Sequence, residues 1–347
     1  MLTAVDVTGN TILARDAQKK QNYFCPACRQ RVCLRLGQIR VQHFSHVQIM
    51  TCRAMSEGES VEHLFGKLQL HTYFVSLGYQ VTLEKFLPAI QQRPDLVVES
   101  QGRCFIIEFQ CAPISFETIK KRNTGYARIG LQVFWILGTP YQKQNLRQTT
   151  MAKFAQIQQN HLGFYYWVSQ PSGGDLQWQE WSQVDGINGK NQMMTPEKIV
   201  KKQIYQIQLR LLRSEESLRS LAEKVCQQGR ILTGVPWCVH NFEKLPGGLK
   251  NDHWLTKLSV LLALEGGAKS IDQLLTVIRQ NRWYQFASED VWQVQLLWLK
   301  FVLWQWLRQK IIRYQNGLFF LRIQPKWYSD YQDKQKCFTD FIEFYTQ

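Results

Sequence analysis

The chain has 347 residues, of which 45% are hydrophobic and 20% are charged. This balance excludes an intrinsically disordered chain, and the length predicts two or three domains. Lys plus Arg number 42 against 27 Asp plus Glu, which gives a formal charge of +15 and a pI of about 9.4. The basic surplus favours a polyanionic partner, which could be a nucleic acid or an anionic membrane surface.

Membrane insertion is not predicted, because no run of about 18 uncharged apolar residues occurs. The nearest candidate, 291–307, is interrupted by glutamines and by Lys300. Asp6 and Asp16 lie where a secretory signal needs apolar residues, so we expect a cytoplasmic protein. In that compartment the nine cysteines are expected to be metal ligands, reactive thiols or core residues rather than disulfide partners.

Residues 1–57 are predicted to form a small module built around a metal ion. Two short strand-like segments, 32–36 and 39–43, lie between a Cys-x-x-Cys motif and a His-x-x-His motif. The four expected ligands are Cys25, Cys28, His43 and His46. Two thiolates and two imidazoles complete the tetrahedral shell of a structural zinc ion and leave no position for a substrate. Cys33 and Cys52 are alternative ligands, and packing without a metal is the competing interpretation.

Residues 58–150 are predicted to form an α/β domain around a mixed sheet. Apolar residues recur at spacings of three and four over 58–77, which indicates a helix. The further predicted elements are strands at 79–84, 95–99 and 103–110, a helix capped by Ser115 that runs to 128, and a strand at 130–137. The order helix, strands, helix, strand is typical of an α/β domain.

The most specific pattern is RPDLVVESQGRCFIIEFQ, in which Asp95 opens one strand and Glu108 lies near the end of the next. Antiparallel pairing would bring these two carboxylates together, and strand alternation places Gln110 on the same face as Glu108. Close carboxylates repel unless a cation lies between them, and oxygen ligands suit Mg²⁺ or Mn²⁺. Such an ion can polarise a phosphodiester and activate water. The competing interpretation is a half-solvated sheet face with ordinary surface acids.

Polar residues on the two helices flank this pattern. Glu59, His63 and Lys67 follow one another at intervals of four, so they form one stripe that could add a carboxylate and an imidazole to the site. The second helix carries a basic face able to hold a phosphate, formed by Lys120, Lys121, Arg122, Tyr126 and Arg128. Each stripe could equally be an ordinary solvated helix face.

Residues 151–347 are predicted to form a mostly helical C-terminal domain. The region at 141–194, which begins before this domain and extends into it, is not assigned to helices or strands. The predicted elements are helices at 196–228, 254–264, 270–279 and 288–314, and a hairpin turn at Asn316-Gly317 that leads into 318–323. Short helices followed by a long helix and a hairpin could form a winged-helix-like reader of duplex DNA. Phosphate contacts could come from Lys201, Lys202, Arg210 and Arg213.

Taken together, the motifs resemble the competence protein CoiA family, which has a PD-(D/E)XK nuclease-like core. The resemblance runs in order from CPAC and HFSH, through ESVEH and Lys67, to RPD, IEFQC and FWILG. It implies a zinc-finger-like N-terminal module, a restriction-endonuclease-like core of mixed sheet and a mostly α-helical C-terminal domain. It also implies a cytoplasmic late-competence protein that acts on incoming DNA, with a recombinase and other competence proteins as partners.

The resemblance makes Asp95 and Glu108 the ligands of a catalytic Mg²⁺ or Mn²⁺ ion, and it places Gln110 where the family pattern usually has lysine. Lys67 or Lys121 could supply the missing positive charge from another element. Two hypotheses follow. One is a metal-dependent deoxyribonuclease, and the other is a catalytically weak or inactive nuclease fold that holds single-stranded DNA for a recombinase.

Overall fold

The computed structural model describes residues 1–36, 41–48, 52, 60–142, 146–170, 173–183, 195–241 and 243–337. The chain divides into two compact units. The first comprises Met1–Gln156, Gly163–Glu180 and Phe286–Ser288. The second comprises Ile157–Leu162, Trp181–Gln285 and the residues from Glu289 onward. Each unit has its own buried core.

The chain starts with a small antiparallel sheet in the strand order β2-β1-β3-β4-β5. Its elements are β1 (Thr3–Val5), β2 (Thr11–Leu13), a 3₁₀ turn (Ala14–Asp16), β3 (Tyr23–Phe24), β4 (Arg31–Arg35) and β5 (His43–His46). The strand predicted at 32–36 is confirmed as β4. The strand predicted at 39–43 is wrong in its bounds, since β5 begins at His43 and residues 39 and 40 lie outside the described part of the chain.

The α/β core of the first unit follows. Its elements are α1 (Val61–Ser76), β6 (Gln80–Leu83), β7 (Leu96–Ser100), β8 (Arg103–Gln110), α2 (Phe116–Arg128) and β9 (Gln132–Leu137). The strand order is β6-β7-β8-β9, antiparallel as far as β8 and parallel between β8 and β9. The side chains of Ser60 and Ser115 cap the two helices by accepting backbone N–H groups. The predicted α/β fold with a mixed sheet is confirmed.

The two helices cover opposite faces of this sheet, because side chains alternate along a strand. Leu96 and Val98 of β7 join the apolar cluster that contains Leu64 of α1. Val97, between them, packs with Tyr126 of α2 on the other face. The carboxyl end of β8 therefore lies between residues of α1 and residues of α2.

The sheet continues beyond β9 in a region that the sequence left unassigned. The elements are α3 (Thr139–Gln142), α4 (Gln148–Phe154), β10 (Gln156–Gln158), β11 (His161–Gln170) and β12 (Gly173–Glu180). Strand β11 pairs in parallel with β9, and β12 pairs with β11 in antiparallel register. The aromatic run at 164–167 is thus a strand that lies largely in the interior of the sheet.

The rest of the second unit is mostly helical, as predicted. Its elements are β13 (Ser182–Gln183), α5 (Pro196–Leu212), α6 (Glu216–Cys226), 3₁₀ turns (Leu232–Gly234, Trp237–Val239), β14 (Leu245–Pro246), α7 (His253–Glu265), α8 (Ile271–Arg279), α9 (Val291–Arg308), β15 (Ile312–Gln315), β16 (Leu318–Leu321) and α10 (Tyr331–Lys336). No described helix is both long enough and apolar enough to cross a membrane.

Two of the predicted helices are too long. The helix predicted at 196–228 is two helices, because Ser214 adopts φ +52° between α5 and α6. The helix predicted at 288–314 ends at Arg308, after which Lys310 adopts φ +55° and the chain enters β15. Backbone in the left-handed region cannot continue an α-helix.

Candidate functional site

Three acidic residues form a row across β6, β7 and β8. Leu96 pairs with Ile107, so Asp95, which precedes Leu96, lies opposite Glu108. On its other side Asp95 offers its carbonyl to the backbone N–H of Glu84 at 2.9 Å. Sequence reasoning proposed the Asp95 and Glu108 pairing but missed Glu84, because nothing in its local pattern distinguishes it from a surface acid.

Glu84 is 2% exposed and connects the N-terminal sheet to helix α1. Its Oε2 accepts the backbone N–H groups of Leu2 at 2.8 Å and Thr3 at 3.1 Å, and the hydroxyl of Thr3 at 3.2 Å. Its Oε1 accepts the Lys67 ammonium at 2.5 Å. Glu84 could have been recognised as a site residue from the register of β6 and β7, because that register places it beside Asp95.

Asp95 lies between the two helix layers. Its Oδ2 accepts the backbone N–H of Phe109 at 2.9 Å and is 3.3 Å from His63 Nε2, while its Oδ1 is 3.5 Å from Lys67 Nζ. Burial opposes the ionisation of Asp95, but the charges of His63 and Lys67 outweigh it and lower its pKa. The Asp95 and His63 side chains are 13% and 14% exposed, so they form the accessible edge of the cluster.

Glu108 faces α2 and is held there by two side chains. Its Oε1 accepts Arg122 Nε at 2.8 Å and also accepts the Tyr126 hydroxyl, while Arg122 Nη2 donates to the Arg93 carbonyl at 2.9 Å. Burial opposes the charge of Arg122, but the Glu108 carboxylate outweighs it and raises the pKa of Arg122. The contacts that Glu108 makes with Arg122 and Tyr126 all use its Oε1. Its Oε2 makes no hydrogen bond or ion pair with the described residues.

The residues predicted to contact nucleic acid lie mostly inside this cluster. Lys67 and Tyr126 are fully buried, and the Arg122 side chain is 13% exposed. Their polar groups are held by Glu84, Asp95 and Glu108, so the surface role predicted for these three residues is corrected. Of the basic face predicted on α2, Lys120, Lys121 and Arg128 are exposed.

Gln110 and Glu59 complete the predicted set. The Gln110 amide donates to the Ala112 carbonyl at 2.6 Å and forms no hydrogen bond with Asp95 or Glu108. Glu59 lies outside the described residues. The site that the structure brings together therefore consists of Asp95, Glu108 and His63, with Lys67 in support.

The charges of the carboxylate row are balanced by side chains. Lys67 and Arg122 pair with Glu84 and Glu108, and Arg93 Nη1 is 4.0 Å from Glu84. The expectation that close carboxylates here require a metal ion therefore does not follow from repulsion alone. The row still offers two hard oxygen donors of the kind that divalent ions prefer: Asp95 Oδ1, which is 3.5 Å from the Lys67 ammonium, and Glu108 Oε2, which has no hydrogen-bond partner among the described residues.

The N-terminal sheet holds a separate cluster of soft ligands. Its four donor atoms, which lie within 4.8 Å of one another, belong to Cys25, Cys28, His46 and Cys52. The Cys28 Sγ is 3.2 Å from His46 Nε2, and the sulfur atoms of Cys25 and Cys52 are 3.9 Å apart. Three thiols and an imidazole form a donor set that suits a structural zinc ion.

The prediction of His43 as a ligand is wrong, and Cys52 lies in the place expected for it. His43 and His46 both lie on β5, where residues three apart point to opposite faces. His43 Nδ1 is instead 3.0 Å from the Val41 carbonyl. His46 fits the role of a ligand, because its Nε2 faces the sulfur atoms of the cluster. Burial, and next the charge of Arg93, lower the pKa of His46 and favour the neutral imidazole.

The chain is similar to known proteins over both its N-terminal residues and its α/β core. The model of the competence protein CoiA nuclease-like domain matches residues 59–208, and that of the CoiA N-terminal domain matches residues 8–55. The chain is 32% identical over 146 residues to the competence protein CoiA of Bacillus subtilis strain 168. That match covers 42% of this chain and 38% of the relative's length. No solved structure matches the chain significantly. Since the two domain models together cover more than half of its length, the chain belongs to the competence protein CoiA family.

Proposed function

We propose that this chain is a cytoplasmic competence protein that cleaves incoming DNA as a metal-dependent deoxyribonuclease during natural transformation. The observation that carries the proposal is the register that sets Asp95, just before β7, opposite Glu108, near the end of β8. The family, the nuclease-like domain and the net charge of +15 support a DNA substrate. Single-stranded DNA and a recombinase are the partners that we propose for the reaction.

A Mg²⁺ or Mn²⁺ ion would be held by Asp95 Oδ1 and Glu108 Oε2, the two hard oxygen donors of the row. When bound, it would polarise the phosphodiester and lower the pKa of the attacking water. Lys67 keeps Asp95 ionised, and Arg122 with Tyr126 fixes the orientation of Glu108. His63, at the accessible edge, would assist by donating a hydrogen bond to the bound phosphate, while its charge helps to keep Asp95 ionised.

Cleavage is expected to be slow. Lys67 is fully buried, so its charge supports Asp95 and does not contact a bound phosphate. Gln110 stands where the family pattern has lysine, and a glutamine supplies no positive charge to the transition state. The phosphate therefore lacks the lysine cation that related nucleases of this type provide.

We further propose that the soft-ligand cluster binds one structural zinc ion through Cys25, Cys28, His46 and Cys52. Four protein ligands leave no open coordination position, so this ion would stabilise the N-terminal sheet and take no part in hydrolysis. The five strands of that sheet contain only 17 residues in total, and a metal ion is a common way to stabilise such a small core.

The nuclease is tested with the full chain on labelled single-stranded and duplex DNA, with Mg²⁺, with Mn²⁺ and with chelator. The variants are Asp95→Asn and Glu108→Gln, which keep the side-chain shape, and the matched control is the exposed Asp175→Asn. We expect metal-dependent cleavage that both site variants reduce about 100-fold or more and that the control retains. Cleavage that the site variants leave unchanged would refute the assignment.

A second candidate function is a DNA-binding scaffold with no hydrolytic activity. It is favoured by one observation, that Lys67 and Arg122 already neutralise the carboxylates of the row. In the same assay this function predicts salt-sensitive DNA binding by the wild type, with no cleavage under any metal condition. The two functions are therefore separated by the wild-type protein alone.

A further inference from the structure

Part of the second unit has the element order of a winged helix. Helices α7, α8 and α9 are followed by the hairpin of β15 and β16. Between α7 and α8, Lys269 pairs with Phe319 of β16, through N–H to carbonyl hydrogen bonds of 3.1 and 2.8 Å. The result is a two-stranded hairpin joined by a single β-bridge to the segment between α7 and α8. This likeness concerns the fold alone and does not by itself establish a function.

The three helices and the hairpin share one core. Leu258 of α7, Leu274 of α8, Trp298 of α9 and Ile312 of β15 all belong to the same buried cluster and are at most 2% exposed. The hairpin is therefore fixed to the helices by apolar packing. Its turn, Asn316-Gly317, has φ values of +52° and +78°, as in the tight turns that suit a twisted two-stranded hairpin.

Charge is distributed unevenly over this module. Residues 291–329 contain six Lys or Arg residues and no Asp or Glu. Lys310, Arg313 and Arg322 lie on or beside the hairpin and are exposed, and none of them forms an ion pair with a described acid. Tyr314 is 58% exposed on the same hairpin. Exposed cations without acidic neighbours are the surface that a phosphate backbone selects.

Two of the four sequence-based candidates for phosphate contact on α5 are already neutralised. Lys201 Nζ is 2.7 Å from Glu197, and Arg210 pairs with both Glu215 and Asp252. Lys202 and Arg213 are exposed, but their helix also carries Glu197 in its first turn. The hairpin, by contrast, lies in a stretch of sequence that contains no acidic residue.

We propose that the β15–β16 hairpin is a DNA-binding wing that contacts the phosphate backbone of a DNA duplex through Lys310, Arg313 and Arg322. The Arg313 guanidinium lies over the Phe320 ring, 5.3 Å from its centroid, which limits its rotamers before DNA arrives. The contact is independent of base sequence, because phosphates carry no sequence information. It uses no residue of the carboxylate row, so it stands whether or not that row cleaves DNA.

The test uses the full chain carrying Asp95→Asn and Glu108→Gln, so that cleavage cannot remove the probe. The wing variant adds Lys310→Gln, Arg313→Gln and Arg322→Gln. The matched control removes the same charge at three exposed lysines elsewhere in this unit, Lys198→Gln, Lys224→Gln and Lys244→Gln. Binding of a labelled duplex about two helical turns long is followed by fluorescence anisotropy, and folding is checked by circular dichroism.

We expect the wing variant to raise Kd about 10-fold or more at ~50 mM salt and to lower the slope of log Kd against log salt by about 3, one for each lost phosphate contact. The control should change Kd less than threefold. An unchanged Kd and salt slope in a folded wing variant would overturn the proposal, as would an equal loss in the control. Cleavage by the wild type bears on the carboxylate row and leaves this result untouched.

Discussion

Replacing Lys67 with methionine tests whether the buried ammonium holds the carboxylate row together. Methionine keeps an unbranched apolar stem, but it lacks the terminal ammonium, so the positive charge between Glu84 and Asp95 is lost. Removing one partner of a buried ion pair costs about 3–5 kcal/mol, because the remaining charge stays buried without compensation. We therefore expect Lys67→Met to destabilise the first unit.

The remaining contacts of the two carboxylates set the size of this effect. Glu84 keeps the N–H groups of Leu2 and Thr3 and the Arg93 guanidinium at 4.0 Å, and Asp95 keeps His63 and the N–H of Phe109. The cost should thus lie near the lower limit, at about 3 kcal/mol. Such a loss corresponds to about 100-fold faster hydrogen exchange for amides that exchange by opening of this region.

Hydrogen–deuterium exchange with mass spectrometry measures this locally, at peptides that contain Leu2 and Thr3 and at a peptide that contains Phe109. The double variant Lys67→Met/Glu84→Gln should recover about half of the loss, since the amide oxygen still accepts both N–H groups and carries no charge. Lys85→Met, at an exposed lysine, should change exchange by less than about threefold. Exchange in Lys67→Met no faster than in Lys85→Met, or no recovery in the double variant, would show that the ammonium does not hold the row.

Two further predictions concern the zinc cluster and the core of the second unit. Cys52→Ser and His46→Ala should each reduce the zinc bound after purification from about one equivalent to a small fraction, as measured by metal analysis. The control His43→Ala should retain the zinc. Equal loss in all three variants would contradict the ligand assignment. Burial, and next the charge of Lys257, lower the pKa of His253 to about 3 in the folded protein. The neutral imidazole therefore stabilises the fold fully above the pKa that His253 has in the unfolded chain. This stability is lost as the pH falls from there towards the folded pKa. Between about pH 6.5 and pH 5 the lost stability amounts to about 2 kcal/mol. His253→Gln should remove this part of the pH dependence of the free energy of urea unfolding. An unchanged pH dependence in the variant would refute the role of His253.

The α/β core could be predicted from local features of the sequence. Ser115 precedes its helix as a cap, and the alternation in FIIEFQ marks β8 as a strand with one buried face. The short turn at Gln101-Gly102 also determines the register that sets Asp95 opposite Glu108. These signals involve residues that are close together in the chain, so they can be recognised without knowledge of the fold.

The region at 161–180 could not be predicted in the same way. Its strand β11 pairs with β9 in parallel, through Tyr165 and Ile136, and the chain between them is not a simple hairpin. A strand that lies in the interior of a sheet has no clear polar alternation, so the aromatic run gave no distinct period. Its place depends on a partner strand that is distant along the chain.

The sequence alone therefore determined the family motifs, the order of the core elements and the pairing of Asp95 with Glu108. Tertiary structure decided which other groups meet them. Glu84 joined the row through strand pairing, Lys67 became a buried counter-ion, and Cys52 took the place expected for His43. The physical reason is that burial, ion pairing and metal ligation depend on distances between residues far apart in the chain, and spacing along a sequence does not contain those distances.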